Sequence, residues 1–166
     1  MASASESPSM LEKAVLSLAR VGIDRVEGIL AGGFDAWRDA GLPIEKTGTV
    51  TPREIAERRS AVVLDVRDDE EFETEGHVPG ARHMYVGYLE RHLEKVTPAL
   101  EKDAEIVLVC SVGHRAGLAT SILRRKGFTR VANLLGGMTA WEKLELPRDQ
   151  GRENTVTTPD IEGKRS

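Results

Sequence analysis

The sequence predicts an α/β fold, a central parallel sheet with helices on both faces, and three observations carry that expectation. Unalternating apolar runs of strand length stand at 61–66, 106–110 and 131–135, the pattern of strands covered on both sides. Segments with helical spacing or helix caps separate them, as in a βα series. One stretch of the chain also occurs twice, so the fold is expected as a repeat and a half.

The elements follow in order. Residues 10–21 place Leu11, Ala14, Val15 and Leu18 at helical spacing, an amphipathic helix. A short strand is expected at 26–30 and a short helix at 34–40, after the Gly32-Gly33 turn. Thr51-Pro52-Arg53-Glu54 reads as a capping box with proline at the first helical position, so a helix starts there. The strands 61–66 and 106–110 come next. Residues 115–126 read as a helix that stops at Gly127. A strand at 131–135 and a helix at 137–144 close the series.

The duplication links Gly22-Ile-Asp-Arg-Val-Glu-Gly-Ile-Leu30 with Gly127-Phe-Thr-Arg-Val-Ala-Asn-Leu-Leu135. It continues from Gly32-Gly33-Phe34-Asp35-Ala36-Trp37 to Gly136-Gly137-Met138-Thr139-Ala140-Trp141, and both copies end in Leu-Pro, at Pro43 and Pro147. One inserted residue, Ala31, is the only gap. The later copy is preceded by a full βα series from about Thr49, the earlier one by a single helix. The expected organisation is therefore a flexible leader at 1–9, a truncated, non-catalytic half-repeat at 10–46, a complete domain at 47–149 and a polar tail at 150–166.

Composition narrows the function. The 166 residues are 40% apolar and 30% charged, as in a globular chain. Lys and Arg number 23 against 27 Asp and Glu, a net charge of −4, which argues against nucleic acid as a partner. No apolar run approaches the roughly 20 residues that cross a bilayer, so no membrane partner is expected. The start shows no basic-then-apolar secretory pattern. Cys110 is the only cysteine, so no internal disulfide forms, and a cytoplasmic setting is expected.

The informative stretch is Ile106-Val-Leu-Val-Cys110-Ser111-Val112-Gly113-His114-Arg115. A buried strand ends at Cys110, a short glycine-containing loop follows, and a helix opens near Arg115. Parallel α/β sheets place ligands at such carboxyl ends of strands. Loop N–H groups and the helix N-terminus can hold negative charge on the sulfur and so activate it as a nucleophile. His114 and Arg115 are possible cationic neighbours. A lone cysteine is commonly a small core residue, but a core cysteine belongs inside the strand rather than at the mouth of a loop leading to a helix.

At this point the sequence resembles a family. Cys110-Ser-Val-Gly-His-Arg115 is similar to the six-residue active loop of rhodaneses, which hold a cysteine persulfide in a cradle of backbone amides. Leu64-Asp65-Val66-Arg67-Asp-Asp-Glu-Glu71-Phe72 resembles the family's first strand and following helix, and Gly76-His77-Val78-Pro79-Gly80-Ala81 its Gly-His-Ile-Pro-Gly-Ala turn. Leu135-Gly136-Gly137-Met138-Thr139-Ala140-Trp141 completes a set that covers about 49–148. Three residues stand between Phe72 and Gly76 where two are commoner. Residues 81–89 and the repeated half are similar to rhodanese portions of fusion proteins that carry a metallo-β-lactamase domain and handle glutathione persulfide.

The resemblance implies a sulfurtransferase without a cofactor. Cys110 is the expected catalytic residue and takes a sulfane sulfur from a small-molecule donor, thiosulfate or a persulfide, for delivery to a thiol or another thiophile. Ser111, Val112, Gly113, His114 and Arg115 are the expected substrate-binding residues, with Arg115 holding an anionic donor. Asp65 and Arg67 are expected as a supporting ion pair or cap, with a bond from Asp65 to the active loop as the alternative. His77 is expected to fix its turn by a hydrogen bond. His77, His83, His92 and Cys110 show no metal-ligand spacing, so no metal is expected. Two other functions stay open: a non-catalytic binding module, and a phosphatase, whose related loops set five residues between cysteine and arginine where this chain has four. Residues 10–46 are also a possible homodimer contact, since an isolated strand edge seeks a partner.

Overall fold

Ile106, Val107, Leu108 and Val109 are each wholly buried, which a strand achieves only with neighbours on both edges and helices on both faces. They form the middle strand of a five-stranded parallel sheet in the computed structural model, which describes residues 9–20, 25–58, 60–96 and 101–151. The chain divides into two units, Met1–Glu45 and Lys46–Ser166.

The second unit runs β1(Gly48–Val50), α3(Pro52–Glu57), β2(Val62–Asp65), α4(Asp69–Thr74), β3(Arg82–His83), α5(Val86–Val96), β4(Ile106–Val109), α6(His114–Arg125), β5(Val131–Leu134) and α7(Gly137–Lys143). The first unit holds α1(Met10–Arg20) and α2(Gly33–Asp39). Strand order is β1-β5-β4-β2-β3, every pair parallel. From β2 the chain moves outward to β3 on one side. From β4 it moves to β5 on the other. The crevice at the carboxyl ends of β2 and β4 is therefore the topological switch point, where open α/β sheets bind ligands.

Period-two alternation splits the core into two layers. Leu64, Val66, Ile106, Leu108 and Cys110 pack with Ala116, Ala119 and Leu123 of α6 and Leu89 and Leu93 of α5. Val63, Val107, Val109 and Leu134 pack on the other face with Ile55, Phe72, Met138 and Trp141. Cys110 thus sits one step beyond β4 with the parity that turns it toward α6.

The Thr51 capping box forms: its hydroxyl accepts from the Glu54 N–H and the Glu54 carboxylate accepts from the Thr51 N–H. Short β1 and β3 and the helix α5 are absent from the sequence reading. β1 and β3 have three and two residues, too few for a periodic signal, and α5 is kinked at His92 (φ −123°).

The strand expected at 26–30 does not form. Those residues carry no regular structure, and Val26, Ile29 and Leu30 are exposed. A strand is held by its neighbours' hydrogen bonds, and the described part of the first unit offers no second strand. The expected leader lies outside the described residues except for Ser9, and the expected tail except for Gln150 and Gly151.

Candidate active site

The loop after β4 folds back on its own sulfur. The Gly113 N–H donates to Cys110 Sγ at 3.0 Å and the Ala116 N–H at 3.4 Å. Gly113 makes this possible at φ 108°, ψ −13°, as the N-cap of α6, a conformation that disfavours any residue with a Cβ. The sulfur lies against the N-terminus of a 12-residue helix, which adds partial positive charge. Cys110 is only 1% exposed, so a reactant reaches the sulfur through the mouth of this loop. Val112 stands at the rim, 52% exposed, with His114 exposed beside it.

Two other elements hold the loop in place. The Met138 N–H donates to the Cys110 carbonyl at 2.8 Å and the Thr139 N–H to the Ser111 carbonyl at 3.0 Å. The N-terminus of α7 thereby grips the loop's backbone. From β5, Asn133 Nδ2 donates to the Gly113 carbonyl at 2.9 Å.

Across the crevice, α4 supplies Glu71. Its carboxylate takes a fork from Arg115, Nη1 to Oε2 at 2.5 Å and Nη2 to Oε1 at 2.6 Å. Ser111 Oγ donates to Glu71 Oε1 and accepts from Arg115 Nη2, both at 2.7 Å. The Arg115 bonds, helped by Ser111 and Asp68, hold the Glu71 carboxyl far below the usual carboxylate range against the opposing effect of burial. Glu71 in turn raises the Arg115 guanidinium above its ordinary value. Sequence reasoning expected Arg115 to face an anionic donor. Its terminal nitrogens instead meet a carboxylate and a hydroxyl, because α4 and α6 open toward each other across the switch point.

The expected supporting residues form a separate network one layer back. Arg67 Nε and Nη2 reach the Asp65 carboxylate at 2.9–3.1 Å, and Nη2 also donates to the Gly76 carbonyl at 2.7 Å. Asp65 and Arg67 are 0% and 1% exposed; removing either partner of such a buried pair costs about 3–5 kcal/mol. Their side-chain bonds go to each other, to the Glu75 carboxylate and to the turn at Gly76, not to the active loop. His77 donates from Nδ1 to the Phe72 carbonyl at 3.1 Å, and Phe72 stacks between His77 and His83 at 3.8 and 4.4 Å. This network fixes α4, and through it Glu71.

Sequence reasoning missed Glu71, Asn133 and Gly137 as site residues. Glu71 stood inside a quoted motif but 39 positions before Cys110, with no local pattern to join them. Asn133 carried a readable signal, a polar side chain in the otherwise apolar strand β5.

Comparison with known proteins agrees with this geometry. The rhodanese-like domain profile matches residues 51–144. YtwF of Bacillus subtilis is 35% identical over 109 residues, 65% of this chain and 100% of that protein. The thiosulfate sulfurtransferase GlpE of Coxiella burnetii is 29% identical over 101 residues, 61% of this chain and 89% of that protein. Among solved structures, a thiosulfate sulfurtransferase from Pseudomonas aeruginosa superposes with TM-score 0.57 at 26% identity, over 69% of this chain and 22% of that one. The chain likewise spans 40% of the length of YrkF of Bacillus subtilis, to which it is 34% identical over 79 residues. A parallel sheet whose switch-point loop curls on a cysteine, matched by a profile over most of the second unit, places this chain in the rhodanese-like family, whose named relatives include sulfurtransferases.

Proposed function

We propose that the chain is a sulfurtransferase that works through a persulfide on Cys110. The Cys110 thiolate attacks the sulfane sulfur of the donor. With thiosulfate the S–S bond breaks, sulfite leaves with the bonding pair, and Cys110–S–S⁻ remains. A thiophile such as cyanide or a thiolate then takes the outer sulfur and releases the Cys110 thiolate. The observation that carries this reading is the convergence of the Gly113 and Ala116 N–H groups on Sγ at the start of α6. Preorganised amides stabilise an anion where it forms, without reorganisation, and covalent storage splits the transfer into two easier steps.

A single thiol cycling through a persulfide suits a reducing compartment such as the cytoplasm. The phosphatase reading has less support. A transferring phosphoryl group needs positive charge aimed at its oxygens, and the Arg115 fork is turned to Glu71.

Intact mass spectrometry tests the proposal. Incubation with a sulfane donor is expected to add the mass of one sulfur, and cyanide to remove it. Cys110→Ser is expected to take up none and to lose turnover. Sulfur transfer by the serine variant at the wild-type rate would overturn the assignment.

A further inference from the structure

We infer that Glu71 sets the charge of the sulfur donor: by pairing with Arg115 it makes the site favour donors carrying one negative charge over the thiosulfate dianion. The inference rests on the persulfide chemistry proposed above and deepens it.

Three observations support it. The first is the geometry of the fork, two near-parallel N–H···O bonds at 2.5 and 2.6 Å with Ser111 closing the third side. A bidentate pair of this kind is directional and neutralises both charges together. The second is the composition of the loop. Ser111, Val112 and Gly113 bring no charge to the mouth, so Arg115 is the only permanently cationic side chain between Cys110 and the first turn of α6. The third is the opposite wall, where Asp68, the N-cap of α4, adds a second carboxylate near enough to act on the Arg115 guanidinium alongside Glu71. With Arg115 matched by Glu71, Asp68 leaves these three side chains with a net negative charge. A dianion approaching a thiolate there meets repulsion without an unpaired cation to offset it. A monoanionic persulfide meets half as much.

The Glu71 carboxylate bonds Arg115 and Ser111 and makes no hydrogen bond to Cys110. It acts through Arg115 and Ser111, so it is a positioning residue that determines specificity. Loading is atom-balanced for either donor: Cys110–S⁻ with R–S–S⁻ gives Cys110–S–S⁻ and R–S⁻, as thiosulfate gives sulfite.

The experiment compares thiosulfate with 2-hydroxyethyl persulfide as donors to the full chain, reading kcat and KM separately. Wild type is expected to give the higher kcat/KM with the persulfide. Glu71→Gln keeps the side chain's size, removes the charge and leaves Arg115 one acceptor oxygen in place of two; it is expected to raise the thiosulfate-to-persulfide ratio of kcat/KM by about five- to tenfold, mainly through a lower KM for thiosulfate. Glu71→Asp restores the charge and is expected to bring the ratio back toward wild type. A merely structural role would lower kcat for both donors together and leave the ratio fixed, which overturns the inference.

A measurement on the wild type guards against loop damage in the variants. Raising the salt from about 0.02 to 0.3 M screens repulsion, so KM for thiosulfate is expected to fall. A rise would mean that an unpaired cation binds the dianion, and the inference is wrong. Mass spectrometry separates the two levels of argument. Sulfur loaded on Cys110 without the donor preference sinks this inference alone, whereas no loading from either donor sinks the sulfurtransferase reading and this inference with it.

Discussion

At the scale of single residues, Cys110 was legible in the sequence and Glu71 was not. A cysteine closing a buried apolar run before a glycine and a helix has a local signature. A glutamate 39 residues away has none until the fold brings α4 and α6 to opposite lips of one crevice. The pairing has a pH consequence. The folded-state value of Glu71 is lowered from 4.5, first by the Arg115 bonds and then by Ser111 and Asp68. A depressed carboxyl stabilises the fold above its unfolded value and loses that contribution as pH falls through the folded one. The stability difference between wild type and Glu71→Gln is therefore expected to hold steady from pH 8 to 5 and to shrink as pH drops below 4.5. Urea denaturation at a series of pH values checks this; a difference that grows on acidification would contradict the assignment.

At the scale of elements, α7 shows how a two-glycine turn serves a site. Gly136 and Gly137 stand at φ 70° and 56°, and an ideal Cβ on Gly137 would lie 2.0 Å from the Cys110 carbonyl oxygen and 2.7 Å from the Ser111 backbone. The close approach lets α7 bond the loop through Met138 and Thr139. Gly137→Ala combines left-handed backbone strain with this clash and is expected to cost at least about 2 kcal/mol. Activity is expected to fall by more than the lost folded fraction explains, because the loop itself must shift. Chemical denaturation alongside turnover measures both, and a variant as stable and active as wild type would refute the close approach.

The earlier copy repeats the local geometry of this element. Gly32 and Gly33 keep φ 76° and 64°, and Trp37 Nε1 donates to the Pro43 carbonyl at 2.9 Å as Trp141 does to Pro147 at 2.8 Å. Yet nothing lies within 4 Å of an ideal Cβ on Gly33, and the position matching Asn133 is Gly28.

At the scale of the molecule, every group described at the candidate site comes from β2, β4, β5, α4, α6, α7 and the turns joining them, all in the second unit. Deleting residues 1–46 is therefore expected to leave kcat/KM for sulfur transfer within about twofold of the full chain, a margin equal to less than 1 kcal/mol in barrier. Steady-state assays on both forms check it. A collapse of kcat in the shortened protein, with its melting curve intact, would show that the first unit contributes to the chemistry. Light scattering on the same pair reports whether residues 10–46 hold two chains together.

Local pattern by itself determined the class of fold, most of the elements, the repeated Gly-Gly-Trp segment and the cysteine at the loop. Each rests on interactions within a few residues: apolar runs, the Thr51 capping box, the stop at Gly127. The order β1-β5-β4-β2-β3 was decided only in three dimensions, because strand pairing joins residues far apart in sequence. So was the failure of 26–30 to become a strand, since β propensity is context and not an intrinsic property of five residues. The partner of Arg115 belongs to the same group. Its long, flexible guanidinium satisfies whatever carboxylate the packing brings within reach, and only the meeting of α4 and α6 at the switch point selects Glu71.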